Sequence, residues 1–359
     1  MKIGIIGLQN SGKSTIFSAL TGLDVEIGAY STGKIDPNLG VVQVLDDRIT
    51  KLSEMYQPKK TIYATIEFID FAGMSGNAKG GEVFSGSSIS LIKNTDAIAL
   101  VVRNFQDDMI ADSMGEHNPM ADIENVESEL ILSDLIIAEK RLEKIELGKK
   151  RGIKSTALQI EETALRKIIE HLEENNPIRT LELSDDEEKE IRGFQFISQK
   201  PLMIILNSDE NNFGSNSDLM TEISKHYKVE EFAGKFEMEL SAMEEDEAAM
   251  FMEDMNINES AKDRLSRAAY ELLGYISFFT VGKDEVRAWT MTKGGNAVEA
   301  AGKIHSDLAR GFIRAECFSY DDLINLGSEK ALREKGLFRL EGKEYIVKDG
   351  DILNIRFSV

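Results

Sequence analysis

The sequence is short of the features that mark several protein classes, and each shortage excludes one. A single cysteine, Cys317, among 359 residues rules out an internal disulfide, and no Cys/His cluster offers a structural zinc site. The four histidines, His117, His171, His226 and His305, are scattered and form no metal set. No run of about 18 apolar residues occurs. The opening Met1-Lys-Ile-Gly-Ile-Ile-Gly7 meets glycine too early for a secretory signal, so a cytoplasmic protein with no membrane span is expected. No period of about 20–50 residues repeats, which excludes a solenoid. Basic charge is scarce as well. With 42 Lys+Arg against 63 Asp+Glu the net charge is −21, which excludes coating of DNA or RNA by bulk electrostatics.

What is present reads as an ordinary globular composition, 42% hydrophobic and 29% charged. At about 150 residues per domain the length fits two or three units. Residues 277–359 hold 13 basic and 13 acidic residues, which leaves the whole −21 on residues 1–276 and marks the C-terminal stretch as a separate domain. Ile3, Ile5 and Ile6, Ile62 to Phe68, Ala97 to Val102 and Leu202 to Leu206 read as buried strands separated by long crossovers. The expected class is α/β, a parallel sheet with helices on both faces.

Between those strands Ile131, Leu135, Ala138, Leu142 and Ile145 follow the spacing of a coiled-coil seam. After Gly148-Lys-Lys-Arg-Gly152, a second seam runs through Leu158, Leu165, Ile169 and Leu172. An antiparallel helical hairpin is expected, either a packed subdomain or a projecting arm, with Lys149, Lys150, Arg151 and Lys154 at its tip. In the C-terminal unit Phe278 to Val281 and Val286 to Thr290 read as strands, and Ala297 to Leu308 as a helix. Asp349-Gly350 reads as a turn between two alternating β runs. Trp289, in an alternating strand, reads as core.

The chemistry concentrates in Gly7-Leu-Gln-Asn-Ser-Gly12-Lys13-Ser14, a complete G-x-x-x-x-G-K-[ST] phosphate loop between a strand and a helix. Its glycines turn successive N–H groups inward as an anion nest, and the following helix presents its positive end. Lys13 is suited to bridge the β- and γ-phosphates, and Ser14 to give its hydroxyl to Mg²⁺. Asp70-Phe-Ala-Gly73 closes a strand, where Asp70 can hold a Mg²⁺-bound water and the Gly73 N–H can sense a γ-phosphate. The small residues after it suit a switch segment. After Leu202 to Leu206 comes Asn207-Ser-Asp-Glu210, where guanine-specific sites usually carry N-K-x-D. Ser208 replaces the lysine, and Glu210 is longer by a methylene, which displaces the carboxylate from the position guanine needs. Adenine is therefore favoured, with guanine reading restored only if Asp209 shifts into place. Met74 stands where a water-orienting glutamine is common, and a thioether cannot orient water.

These residues resemble the YchF-type Obg-like ATPases. The resemblance is carried by residues 7–15, by Asp36-Pro-Asn-Leu-Gly-Val-Val42, by Asn207 to Glu210 and by the helical insertion. It is strongest in Phe279 to Thr290, Ala301 to Asp307, Arg310 to Glu316 and Leu340 to Asp351, which look like that family's TGS domain. The resemblance implies a P-loop GTPase-like domain over 1–122 and 197–276, an inserted α-helical coiled-coil domain over 123–196, and a β-grasp TGS domain over 277–359. It implies an ATPase with slow intrinsic hydrolysis that associates with the ribosome (large subunit or 70S) and its rRNA through the arm and TGS domain, in translation or stress response. The family's nucleotide contacts map onto Asn10, Ser11, Gly12, Lys13, Ser14 and Thr15, and its adenine contact onto Asn207 and the backbone of Ser208. Asn10 matches the asparagine that holds K⁺ in potassium-dependent relatives. The base-flanking Ser-Ala-Lys reads Ser241-Ala242-Met243 here.

The chain departs from the family pattern at Lys34, where a switch threonine is expected and Thr32 lies nearby, and at Asp112, where relatives carry a histidine. The expected catalytic set is Lys13, Asp70 and Gly73, with Glu210, Ser241 and Ala242 beside the base and Ser14 and Asp70 on Mg²⁺. Two alternatives stay open. One is a ribosome-binding module in which ATP is a conformational ligand with vestigial hydrolysis, and the other is a GTP-preferring enzyme.

Overall fold

The computed structural model describes residues 1–23, 37–71, 84, 86–114, 116–243, 245–254 and 259–358. The chain divides into two compact units: Met1–Val42 with Glu67–Leu265, and Gln43–Ile66 with Ser266–Val359. The described strands, in chain order, begin with β1 (Lys2–Ile6), β2 (Asn38–Gln43), β3 (Lys60–Ile62), β4 (Thr65–Asp70), β5 (Ala97–Asn104) and β6 (Leu202–Ser208). They continue with β7 (Lys228–Phe232), β8 (Tyr275–Thr280), β9 (Glu285–Thr292), β10 (Phe312–Ser319), β11 (Arg339–Glu341) and β12 (Asp351–Phe357).

The first sheet has the order β2-β4-β1-β5-β6-β7. Its pairs β4–β1, β1–β5, β5–β6 and β6–β7 are parallel. All eight residues of β5 and all seven of β6 are buried, as central strands covered on both faces require. Ile98, Leu100 and Val102 meet Val126 and Leu130 of the helix Pro119–Lys150 on one face. Parallel pairing brings the strands' C-terminal ends to one edge: Ile5 lies opposite Asp70, Asn104 opposite Ser208, and Asn207 opposite Phe232.

The helical insertion forms as its two seams dictate. Helix Pro119–Lys150 is capped by the Asn118 side chain and helix Thr156–Glu173 by that of Ser155. Ile131, Ala138 and Ile145 bury against Ala164, Leu165, Ile168 and Leu172, and Ile178, Ile191 and Phe196 complete the same core. The root of the hairpin is thus a packed helical subdomain. Farther out, Arg141–Glu161 at 2.6 Å, Arg166–Glu146 at 2.8 Å and Lys149–Glu162 join the two helices. At the root, Asp134 is fully buried and accepts from Ile197 N at 3.1 Å and from Ser198 N and Oγ at 2.7 Å each.

The second sheet is mixed, in the order β11-β10-β12-β8-β9-β3. Alternation sends Phe278 to one face and Phe279 to the other. Phe278 packs with Ala297, Ala300 and Ala301 of the helix Ala297–Ile304. Phe279 packs with Ile49 and Leu52 of the helix Asp47–Tyr56. Trp289 stacks on Phe278 at 6.3 Å and donates to Thr280 Oγ1 at 3.0 Å, so it serves the core. Cys317 is fully buried, and burial together with Asp351 pushes its thiol up to about 12, which leaves it inert.

Several expectations change. The run Ile62 to Phe68 is not one strand: β3 pairs with β9 in the second sheet, whereas β4 pairs with β1 in the first. For the same reason residues 43–66 group with Ser266–Val359 in one compact unit. The helix expected over 297–308 breaks at His305, whose ring caps a second short helix, Ser306–Arg310. Before Asp349-Gly350 the chain makes only a bridge, Asn296 to Ile346, because that stretch binds Asp351 and the Ala297 N–H instead of pairing as a strand.

Burial pushes the Asp134 carboxyl up to about 6, against the lowering pull of its hydrogen bonds from Ser198 and Ile197. An unfolded aspartate titrates near ~3.9, so the native state holds this proton more tightly. The resulting stabilisation is complete below about pH 4 and is lost as pH rises through 6. Asp134→Asn should lower the urea midpoint at every pH, because its amide nitrogen meets donors, and should flatten the change between about pH 4 and 6.

Candidate functional site

The phosphate loop follows β1 at the C-terminal edge of the first sheet, where β5, β6 and β7 also end. Gly12 adopts φ 90° and ψ 22° and caps the helix Lys13–Thr21, whose Ile16, Phe17 and Leu20 anchor it to the core. A Cβ at Gly12 would overlap Asn207 Nδ2, and one at Gly234 would stand 2.5 Å from Asn207 Oδ1. Glycine is needed at both positions because the Asn207 side chain fills the gap between them. Its Nδ2 donates to Ser11 O at 3.0 Å, and its Oδ1 accepts from Gly234 N at 3.2 Å. One buried carboxamide thus ties the phosphate loop, the end of β6 and the start of the helix Gly234–Ser241.

Lys13 is 8% exposed and donates to the carbonyl oxygens of Gly7 at 2.9 Å and Leu8 at 2.7 Å. Burial lowers its ammonium to about 8, while Asp70 pulls in the opposite direction. Asp70, at the end of β4, is fully buried. Its Oδ2 accepts from Ser14 Oγ and from Asn38 Nδ2, each at 3.4 Å. Ser14 and Asp70 therefore present two hard oxygen donors side by side, a set that fits Mg²⁺ completed by phosphate and water oxygens. The Ser11 hydroxyl is buried with no hydrogen-bond partner among the described residues. Asn10 is exposed at φ 59°, and Thr15 follows Ser14 in the first helical turn.

After β6, Ser208 is buried and Glu210 is exposed. The Asp209 carboxylate accepts from Asn211 N at 2.9 Å, which commits it to its own turn. Ser241 ends the helix Gly234–Ser241, about 10 Å along the axis from Gly234, and its hydroxyl donates to Met238 O at 2.8 Å. Ala233 and Gly234 follow β7, and it is the Gly234 N–H that reaches Asn207. They were missed because Lys228-Val-Glu-Glu-Phe232 has too little apolar character to announce a strand. The small pair after Phe232 was the available signal.

Asp112 is exposed on the helix Asp108–Met114, and His117 is half-buried. Gly73, Met74, Lys34 and Thr32 lie outside the described residues. A hollow of about 430 Å³ lined by Lys93, Asp96, Gln199 and Lys200 opens at the opposite edge of the sheet and shares no residue with these loops.

The Asn207 tie predicts its own loss. Asn207→Ala strands the Ser11 carbonyl and the Gly234 amide in the interior and should cost about 2–4 kcal/mol in chemical denaturation. Gly12→Ala, which adds an overlap and a left-handed alanine, should destabilise at least as much.

Residues 2–138 match the family of 50S ribosome-binding GTPases, and residues 275–358 match the YchF-GTPase C-terminal family, described as a protein of unknown function. The ribosome-binding ATPase YchF of Bacillus subtilis is 40% identical, over 99% of this chain and 99% of its own length. Its namesake from Pasteurella multocida is 39% identical over 100% and 99%. Among solved structures, the Schizosaccharomyces pombe YchF GTPase superposes with a TM-score of 0.85 at 31% identity, covering 99% of this chain and 97% of that one. With the architecture shared at this level and the identity running from end to end, the chain belongs to the YchF family of P-loop NTPases.

Proposed function

We propose that the chain binds and hydrolyses ATP as a cytoplasmic switch that associates with the ribosome. The observation that carries this reading is the arrangement of Lys13, Ser14 and Asp70 around a loop fastened by Asn207. Its relatives named ribosome-binding ATPases support it. Lys13 exchanges the Gly7 and Leu8 carbonyls for phosphate oxygens, and the N-terminus of the helix Lys13–Thr21 adds its positive end. Ser14 and Asp70 hold Mg²⁺, which when bound neutralises charge on the β- and γ-oxygens. Asn10 is positioned in the loop to hold K⁺ as a second cation. The Asp70–Gly73 segment senses the γ-phosphate.

Adenine is favoured over guanine because neither carboxylate of the Asn207 to Glu210 turn is presented as guanine recognition requires. Asp209 is occupied by Asn211 N, and Glu210 stands in solvent. Asn207 has one donor and one acceptor spent inside the protein, so the base relies on the Ser208 backbone and the loop after it. No described helix is long and apolar enough to cross a membrane. The ribosome-facing surfaces we assign are the TGS unit and the hairpin tip. At the tip Lys150, Arg151 and Lys154 have no ion pair among the described residues, while Lys149 is paired with Glu162.

In competition calorimetry with Mg²⁺, ATP should bind at least about tenfold more tightly than GTP, and a preference for GTP would overturn the adenine assignment. Lys13→Ala should weaken ATP by about 100-fold or more, the worth of two charge-assisted hydrogen bonds. In the wild type the affinity should fall as pH rises above about 8, with proton uptake on binding, because bound phosphate restores the lysine's charge. Wild-type turnover with ribosomes no faster than that of Lys13→Ala would leave ATP as a conformational ligand. Separately, replacing Lys150, Arg151 and Lys154 by Glu should reduce co-sedimentation with ribosomes, and more so at low salt.

A further inference from the structure

The loop that leaves β6 is held by a residue that the site's motifs do not include. Glu231, the fourth residue of β7, is half-buried and accepts from three directions. Ser208 Oγ and Asn216 Nδ2 each donate to its Oε1 at 2.6 Å, and Gly214 N donates to its Oε2 at 3.2 Å. Ser208 Oγ also accepts from Asn104 Nδ2 at 2.9 Å, and Asn212 Nδ2 donates to the Asn104 carbonyl at 3.0 Å.

A second fastening comes from Arg264. Its guanidinium lies 4.4 Å from the Phe232 ring centre and 5.9 Å from that of Phe213, and it donates to the Glu231 carbonyl at 2.8 Å. Residues 208–216 are thus pinned to the end of β7 through both the main chain and the side chain of Glu231.

We infer that Glu231 is a positioning residue for the nucleobase. The inference rests on the reading that this site binds ATP, because the loop it fixes begins at Ser208, one residue after the tie to the phosphate loop. Ordering a loop before the ligand arrives removes that cost from binding. The carboxylate is suited to the task because it is acceptor-only and all three of its neighbours are donors. Its influence is confined to the base half of the ligand. The phosphate half is held by Lys13 and the loop amides, none of which contacts Glu231.

Glu231→Gln keeps the shape but sets an amide donor against one of those donors. Calorimetry would compare wild type and variant with Mg-ATP and with Mg-tripolyphosphate, which lacks base and sugar. The expected result is an ATP Kd raised about tenfold, a tripolyphosphate Kd within about twofold of wild type, and a KM raised in step with the ATP Kd while kcat holds. Ser208→Ala added to Glu231→Gln should cost little beyond the single change, because the two act as one unit.

Equal ATP affinity in wild type and Glu231→Gln would overturn this inference while leaving ATP binding intact. Parallel loss of tripolyphosphate binding would assign Glu231 to general stability and overturn it too. No heat from wild type with Mg-ATP would remove the underlying reading together with the inference.

Discussion

Asn207 reaches from the end of β6 into a gap that exists because residues 12 and 234 have no side chains, and its two hydrogen bonds there are what make separate loops into one site. The geometry is unforgiving in both directions. A larger residue at either glycine would overlap the carboxamide, and a smaller one at 207 would leave a buried carbonyl and a buried amide without partners. A single side chain therefore joins the phosphate loop to the end of β6 and the start of the helix Gly234–Ser241.

The charges of the site follow a related economy. A buried ammonium is costly unless acceptors surround it. Lys13 meets that demand with the Gly7 and Leu8 carbonyls and with Asp70 nearby, and its proton is still loosened. Carbonyl oxygens hold the lysine in the geometry that phosphate oxygens require, so ligand binding exchanges one set of acceptors for another. Asp134 shows the same balance at the hairpin root, where hydrogen bonds from Ser198 and Ile197 only partly offset the desolvation of a carboxylate. In both places the chain keeps a charged group that its surroundings tolerate narrowly.

Much of this was legible in the residues. The phosphate loop could be read because each of its parts has a local reason, and Asp70 because a strand leads into it. The hairpin seams could be read because Ile131, Ala138 and Ile145 repeat at heptad spacing. Other parts were not legible. β7 is a sheet-edge strand whose first four residues are only half-buried, so its sequence carries no apolar run to announce Ala233 and Gly234 after it. Residues 43–66 contain a helix and a short strand that fit either domain locally. The pairing of β3 with β9 and the packing of Ile49 and Leu52 against Phe279 assign them.

The sequence by itself determined the chemistry that depends on neighbours along the chain: the glycine nest, the lysine and serine that follow it, the seams of the hairpin and the electrostatic independence of the last eighty or so residues. Tertiary structure decided which distant residues share a surface. Parallel pairing sets Asn104 beside Ser208 and Asn207 beside Phe232, and from that register follow the tie at Asn207 and the clamp at Glu231. The physical reason is that side-chain contacts between strands depend on register, which is set by the whole hydrogen-bonded ladder and the cores on either side of it rather than by any local run of residues.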